Sequence, residues 1–367
     1  MKVLFPLDLF YPSKIGGPAN TVFWLCKALV KRGHDVTVVA TRKGIDAGQV
    51  VLDKWVIVEG IKTQYCDTTS KYPFIIVRNA ISQLGSVDAV VFSSICFVPN
   101  FVIGLIARLK GKRIIWSPRG ELFDSAVQGS KGKILYFFLI RLLLGERVLF
   151  HATSEVEKAA ILRFFPRAEV VIIPNYMEIP EKEDVKSDYN DFIYVGRIAP
   201  IKALDKLIEG LSHSSRFCSS QYRLKLVGGV EKQFEEYFTS LIQQIDRLGL
   251  SDKIQFVGSL TGKAKFQAYA SARYSFLVSN SENFGNVVIE ALSQGTPVVA
   301  SQGTPWETLP IKKAGFWINN SPEEISRTVD EIIEQSDDEY LAIRENAWEY
   351  SKSFNVYEHI GEWESVL

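Results

Sequence analysis

The stretch SENFGNVVIEALSQGTPVVAS, residues 281–301, decides how this chain is read. Residues 275–279, SFLVS, form a short apolar run suited to a buried strand, and residues 282–285 read as a loop. Residues 287–292 have helical spacing, with Asn286 as the N-cap and Gly295 as the stop, and PVVAS restarts a strand. This order is strand, loop, helix, strand. It puts Glu282 on a loop at the carboxyl end of a strand and Glu290 about one turn inside the following helix. Open α/β sheets bind ligands on such loops. The N–H groups at the start of the helix suit an anion.

The same alternation runs through the chain. Strands are expected at 3–7, 36–40, 89–92, 113–116, 147–151 and 170–173, and helices at 19–31 and 101–109. Residues 174–191, PNYMEIPEKEDVKSDYND, are polar, charged and proline-bearing, as in a linker. The series then restarts with strands at 192–195, 223–227, 254–256, 275–278 and 297–300. Repeated βα units imply parallel sheets. The expected organisation is a first domain over 1–176, a linker over 177–190 and a second domain over 191–350. A carboxyl-terminal amphipathic helix over 351–367 packs back on the first domain.

At 367 residues with 47% hydrophobic content, the chain has enough apolar material for two cores. Its 42 basic and 42 acidic residues cancel, but unevenly. Residues 1–180 carry 23 Lys and Arg against 14 Asp and Glu, and the remainder carries 19 against 28. A basic first half suits a phosphate-bearing or membrane partner, although a solvated surface can also be unbalanced in this way. Cys26, Cys66, Cys96 and Cys218 are far apart, with neither CxxC nor metal spacing. Reduced thiols in a cytoplasmic protein are expected. The amino-terminal residues read as a strand, without the features of a signal peptide. The apolar run 134–144, ILYFFLIRLLL, contains Arg141 and is too short to cross a bilayer. With Lys131 and Lys133 ahead of it, this run fits either a core helix or a helix lying in a membrane interface.

Candidate anion ligands gather in the second half. In YVGRIAPIKALDKLIEG, residues 194–210, Arg197 and Lys202 lie on a strand-to-helix loop, one as a fork and the other as a point charge, which suits a diphosphate. Gly228, Gly229 and Gly258 follow two further strands. In the first half, Gly16 and Gly17 sit between the first strand and helix, with Pro18 in the helix's first turn. The spacing is not GxGxxG, and GSKGK at 129–133 is not a P-loop. GxSxG and HExxH are both missing.

These motifs together resemble family 4 glycosyltransferases, the retaining, nucleotide-sugar-dependent group with the GT-B fold. The resemblance rests on residues 15–41, on ATSEVEKAAI at 152–161, on VIIPN at 171–175, on 194–210, and on the E-x7-E of Glu282 and Glu290. SPRGEL at 117–122 and GTPWE at 303–307 resemble a bacterial subset that builds surface polysaccharides such as lipopolysaccharide or capsule. The resemblance implies two Rossmann-like doubly wound α/β domains facing across a cleft. The first takes a saccharide or lipid-linked acceptor and the second a nucleotide-diphosphate sugar. It also implies a cytoplasmic enzyme with peripheral membrane contact, no cofactor, no metal and no nucleic acid.

By the same resemblance, Arg197 and Lys202 hold the diphosphate, with the backbone of Gly285, Asn286 and Val287. Glu290 takes the ribose hydroxyls, Glu282 takes hydroxyls of the donor sugar, and Phe284 and Gly285 shape the sugar pocket. The base lies near Gly258, and Gly16 and Gly17 let backbone approach the phosphates. Many relatives carry a histidine where this chain reads IIWSPRGEL, so Ser117, Arg119 or Glu121 stands in on the acceptor side. The competing readings are a glycosidase using the two glutamates, a sugar-nucleotide epimerase or phosphorylase on the same fold, and a non-catalytic nucleotide-sugar binding module.

Overall fold

The computed structural model describes residues 1–15, 17–185 and 189–367, which fold into two compact units. Met1–Glu178 and Asn355–Leu367 form the first, and Ile179–Phe354 the second.

The first unit is built on eight strands: β1 (Lys2–Leu7), β2 (Asp35–Thr41), β3 (Trp55–Val58), β4 (Ile61–Cys66), β5 (Ala89–Ser93), β6 (Arg113–Ser117), β7 (Val148–Ala152) and β8 (Glu169–Ile172). Their order is β3-β4-β2-β1-β5-β6-β7-β8, parallel throughout except for the β3–β4 pair. The chain winds outward both ways from the β1–β5 pair. Strands β5 and β7 are buried at every residue, as expected of a parallel sheet covered on both faces. The β3–β4 hairpin closes through Glu59 and Gly60, both at positive φ (49° and 83°), the signature of a two-residue type I′ turn.

The second unit carries β9 (Asp191–Val195), β10 (Arg223–Val227), β11 (Ile254–Gly258), β12 (Tyr274–Leu277), β13 (Val298–Ser301) and β14 (Gly315–Ile318). All pair in parallel, in the order β11-β10-β9-β12-β13-β14, so here the winding reverses between β9 and β12. Phe192, Tyr194, Leu224, Leu226, Phe276 and Val299 lead its core.

All eleven expected strands are present, with ends shifted by at most two residues. Three were not expected: β3, β4 and β14. The expected uniform helix over 351–367 is two elements. A helix over Asp337–Lys352 ends in the second unit, and Asn355, whose side chain accepts from the Tyr357 N–H at 3.2 Å, caps a new helix over Val356–Glu364 in the first. That helix is held to the first unit by Glu364, which takes the His34 ring nitrogen at 2.9 Å and Arg32 at 3.1 Å. Part of the expected linker belongs to the second unit: Glu183 N–H donates to the Gln294 side chain at 2.8 Å. Residues 186–188 of that stretch lie outside the described residues.

Candidate functional site

In the second unit, β9 and β12 lie side by side, and the loops that leave their carboxyl ends meet. The Asn280 N–H donates to the Ile201 carbonyl at 2.9 Å, which ties the loop carrying Lys202 to the loop carrying Glu282. Each loop has its own device for the turn. After β9, the buried Tyr194 hydroxyl donates to the Arg197 carbonyl at 2.7 Å. Burial, and then the charge of Glu282, push that phenol's pKa well up, so it stays a donor. A Cβ on Gly196 would sit 2.6 Å from this hydroxyl oxygen. Ala203, at φ 52°, then turns the chain into the helix Leu204–His213. After β12, Gly285 adopts φ 84°, and a Cβ there would lie 2.7 Å from Leu277 Cδ2. Only glycine fits this turn.

Gly285 is also the N-cap of the helix Asn286–Leu292. Asn286 is therefore the first helical residue, not the cap. Phe284, just before Gly285, is buried. Its side chain is 6% exposed and packs against Trp306 and Phe354. Its carbonyl accepts the Trp306 indole N–H at 2.5 Å. Phe284 thus anchors the loop to the core, where a buried aromatic ring gains from its aromatic neighbours.

The charged residues are already paired. Lys202 Nζ bonds Glu282 Oε2, with side-chain exposures of only 13% and 18%. Arg197 Nη1 bonds Glu231 Oε1 at 3.1 Å, with exposures of 52% and 38%. An exposed pair of this kind contributes at most about 1 kcal/mol, so an anionic ligand can take Arg197 at little cost. The enclosed Lys202–Glu282 pair is less screened. Glu290 is held by two groups that the sequence reading missed. Lys265 Nζ donates to its Oε1 at 2.7 Å, and the Tyr269 hydroxyl to its Oε2 at 3.4 Å. Lys265 and Tyr269 are four apart on the helix Gly262–Ala270 and share a face, but as sequence they look like any exposed helix. Burial, and then Glu290, raise the Tyr269 pKa. Gly258 (φ 82°) ends β11, and its carbonyl accepts the Gly228 N–H at 2.9 Å. A Cβ on Gly228 would fall 1.7 Å from the Gly196 carbonyl, so backbone packs on backbone at this edge. Asn286, Val287 and Glu290 are each partly accessible along the helix's first turns.

In the first unit, Ser117 is the last residue of β6, and the loop that follows carries Arg119 and Glu121. Glu121 Oε1 and Oε2 accept the Ser94 hydroxyl at 2.8 and 2.9 Å, and Oε2 also accepts the Cys96 N–H at 2.8 Å. Burial raises its pKa against these bonds. Arg119, at φ 59°, donates to Asn175 Oδ1 at 2.8 Å. Enclosure lowers its pKa to about 10, still a cation near neutrality, and Glu157 opposes the shift. Ser117 is corrected. It is 1% exposed, and its Oγ sits 2.8 Å from His151 Nδ1, while His151 Nε2 sits 2.8 Å from the Ile173 carbonyl. The carbonyl can only accept, so Nε2 carries the proton and Nδ1 takes the Ser117 hydroxyl. A histidine is thus present beside the SPRGEL strand, but on the neighbouring strand and buried. Gly17 opens the helix Gly17–Lys31 and is exposed, whereas Gly16 lies outside the described residues. Among the described residues, no group of three or more His, Cys, Asp or Glu could hold a metal ion.

Residues 16–176 match the family model "Glycosyl transferase 4-like domain", and residues 175–350 match "Glycosyl transferases group 1". The two matches are consecutive and span most of the chain. The chain belongs to the GT4-type glycosyltransferases. A GDP-mannose:cellobiosyl-diphosphopolyprenol alpha-mannosyltransferase of Xanthomonas campestris is 24% identical over 316 residues, 84% of this chain and 80% of that protein. A D-inositol 3-phosphate glycosyltransferase of Gordonia bronchialis is 36% identical over 119 residues, 31% of this chain, so the match spans about a quarter (26%) of that relative's length. Among solved structures, Anabaena HepE in complex with UDP and glucose matches with a TM-score of 0.76 at 20% identity, over 100% of both chains. WaaG, a glycosyltransferase involved in lipopolysaccharide biosynthesis, matches at 0.67 and 14% identity, over 100% of this chain and 99% of that one. At these identities the likeness is one of fold, and the fold is GT-B.

Two outcomes are expected. Lys265→Met leaves the Glu290 carboxylate without its cation and weakens nucleoside-diphosphate binding about tenfold, the scale of one charged hydrogen bond. Lys265→Arg retains affinity, and calorimetry reads both. Equal affinity in Lys265→Met would leave the pair a structural one. The second outcome concerns His151, whose pKa burial lowers to about 3, with Arg119 adding to the shift. The unfolded chain takes up this proton near pH 6.5 and the folded chain does not. Stability from the neutral ring is therefore complete above pH 6.5 and falls with pH toward 3, by about 2 kcal/mol at pH 5. Urea unfolding from pH 7 to 5 should show a shallower decline in His151→Gln. Identical slopes would clear His151 of the effect.

Proposed function

We propose that the protein is a retaining, metal-independent hexosyltransferase. It moves a sugar from a nucleotide-diphosphate sugar to a lipid-linked saccharide at the cytoplasmic face of the membrane, during assembly of a bacterial surface polysaccharide such as lipopolysaccharide or capsule. The carrying observation is the meeting of the β9 and β12 loops, which pairs Lys202, on the loop that also carries Arg197, with Glu282, on the loop that leads into the Asn286–Leu292 helix. The Xanthomonas relative's name pairs a GDP-sugar donor with a diphosphopolyprenol acceptor, and HepE is a UDP and glucose complex, which supports both halves of the reading.

In the reaction, the bond from sugar C1 to a diphosphate oxygen breaks as a bond from C1 to the acceptor oxygen forms on the same face. Negative charge grows on the diphosphate. Arg197 and Lys202 stabilise it as fixed cations, in the role metal-dependent enzymes give to a divalent ion. The acceptor's proton passes to a phosphate oxygen of the leaving group, so the chain need supply no separate base. Glu282 exchanges Lys202 for hydroxyls of the donor sugar, and Glu290, held by Lys265 and Tyr269, accepts from the ribose. Gly258 lies beside the base. In the first unit, Arg119 and Glu121 face the acceptor, while Ser117 stays in the core.

Binding of UDP-, GDP- and ADP-sugars, followed by transfer to lipid-linked saccharides, tests the reading. Arg197→Ala and Lys202→Ala should each lower turnover roughly 100- to 1,000-fold, the cost of one lost charge-stabilising donor. Wild-type rates in both variants, with melting temperatures unchanged, would remove the diphosphate assignment, and a product of inverted configuration would remove retention. Turnover should persist in excess chelator. Loss there, restored by Mg²⁺ or Mn²⁺, would end the metal-independent reading.

A further inference from the structure

The stretch GTPWE, residues 303–307, follows the carboxyl end of β13 and lies against the loop that carries Glu282. Two hydrogen bonds join them. The Glu282 N–H donates to the Gly303 carbonyl at 2.9 Å, and the Trp306 indole N–H donates to the Phe284 carbonyl at 2.5 Å. At the first rung the two backbones touch: a Cβ on Gly303 would fall 2.5 Å from the Asn280 carbonyl oxygen and 2.6 Å from that of Ser279. At the second, the Cβ that Gly285 lacks would lie 3.4 Å from Trp306 Nε1 and 3.3 Å from Glu282 Cγ. The indole nitrogen and the Glu282 side chain therefore border the same gap.

The donor at the second rung is itself fixed. Trp306 is 2% exposed, and its ring meets Phe284 at 5.2 Å and Phe354 at 5.3 Å. Behind it, Tyr350 meets Phe354 edge-on at 5.2 Å, and the Tyr350 hydroxyl lies 2.6 Å from Thr308 Oγ1. A buried indole needs one acceptor for its N–H, and any core carbonyl would serve. The acceptor here is the carbonyl immediately ahead of Gly285, the N-cap of the Asn286–Leu292 helix. That peptide cannot turn away without leaving a buried N–H unpaired. Glu282 thus leaves a backbone gripped on both sides, by Gly303 at its own N–H and by Trp306 two residues on. A side chain that must meet a ligand in one orientation gains from a backbone set before the ligand arrives.

We propose that Trp306 is a positioning residue for Glu282: its indole N–H, locked between Phe284 and Phe354, holds the 282–285 turn in the form that meets the donor sugar. Trp306 acts through the Phe284 carbonyl and not on the sugar itself. The proposal rests on the reading of Glu282 as a ligand of the sugar hydroxyls. Its loop can be followed by hydrogen exchange with no ligand present, so the two can fail separately.

The experiment compares Trp306→Phe, Phe354→Leu and Glu282→Ala with wild type in the full chain. Calorimetry measures UDP against UDP-glucose and GDP against GDP-mannose, and the pair that wild type binds is carried through the variants. The ratio of the two affinities is the sugar increment, which cancels any loss common to both ligands, such as one from a less stable fold. Glu282→Ala should lose the increment. Trp306→Phe should reduce it about tenfold, the scale of one charged hydrogen bond. Phe354→Leu loosens the same aromatic cluster but keeps the indole N–H, so it should lower the melting temperature and keep the increment. Without ligand, hydrogen exchange over residues 281–287 should quicken about tenfold in Trp306→Phe and stay near wild type in Phe354→Leu. Exchange in Trp306→Phe no faster than in Phe354→Leu overturns the proposal, as does an increment that Trp306→Phe keeps and Glu282→Ala loses. An increment that Glu282→Ala keeps removes the sugar reading instead, and exchange alone then decides for Trp306.

Discussion

Strands β9 and β12 touch through two residue pairs, Phe192 with Tyr274 and Ile193 with Ser275, and the sheet winds away from that seam in both directions. Because consecutive crossovers run to opposite edges, the loops leaving these two strands have no helix between them and face each other. Asn280 N–H to Ile201 carbonyl, at 2.9 Å, is a backbone rung between the two loops themselves. Lys202 and Glu282 are 80 residues apart and meet because of it. The glycines around the seam follow from the same constraint: Gly196, Gly228 and Gly285 are each placed where a Cβ would strike a hydroxyl, a carbonyl or a leucine methyl.

The site so assembled is neutral in itself. Each cation offered to a ligand has a carboxylate partner: Arg197 has Glu231, Lys202 has Glu282, and Lys265 has Glu290. The pairs differ in how readily they open. The half-exposed Arg197–Glu231 pair is worth little in water, whereas the other two are mostly enclosed, and an enclosed charge left alone costs several kcal/mol. A diphosphate can therefore draw Arg197 away freely. It can share Lys202 only if Glu282 finds new donors at the same time, and sugar hydroxyls are such donors. This arrangement favours a ligand carrying both a diphosphate and a polyol over a bare phosphate.

What the sequence disclosed follows from what glycine and apolar runs can disclose. Eleven of the fourteen strands and the loop turns at Gly285 and Gly228 were legible, as buried apolar runs and as turns whose backbone geometry tolerates few residue types. Side-chain partnerships were not. Lys265 is one of two lysines in LTGKAKFQAYASARYS, residues 260–275, and nothing in its spacing points to Glu290, 25 positions away. Phe284 sits in the most informative stretch, yet the reading turned it toward a ligand, because Trp306 and Phe354, which bury it, lie 22 and 70 positions further on. The β3–β4 hairpin escaped because Glu59-Gly60 lacks the Asn-Gly or Asp-Gly pattern that announces a type I′ turn.

The helix Lys131–Leu143 shows the limit from the other side. Composition alone leaves a core helix and an interfacial helix equally acceptable, since both need apolar residues at helical spacing. Two residues of the same type differ when placed: Ile140 is 1% exposed and Ile134 is 53% exposed, on one helix, six positions apart. A core helix of 13 residues buries one stripe and wets the opposite one. This helix buries one stripe and leaves the opposite one apolar, which costs free energy in water unless something other than water covers it.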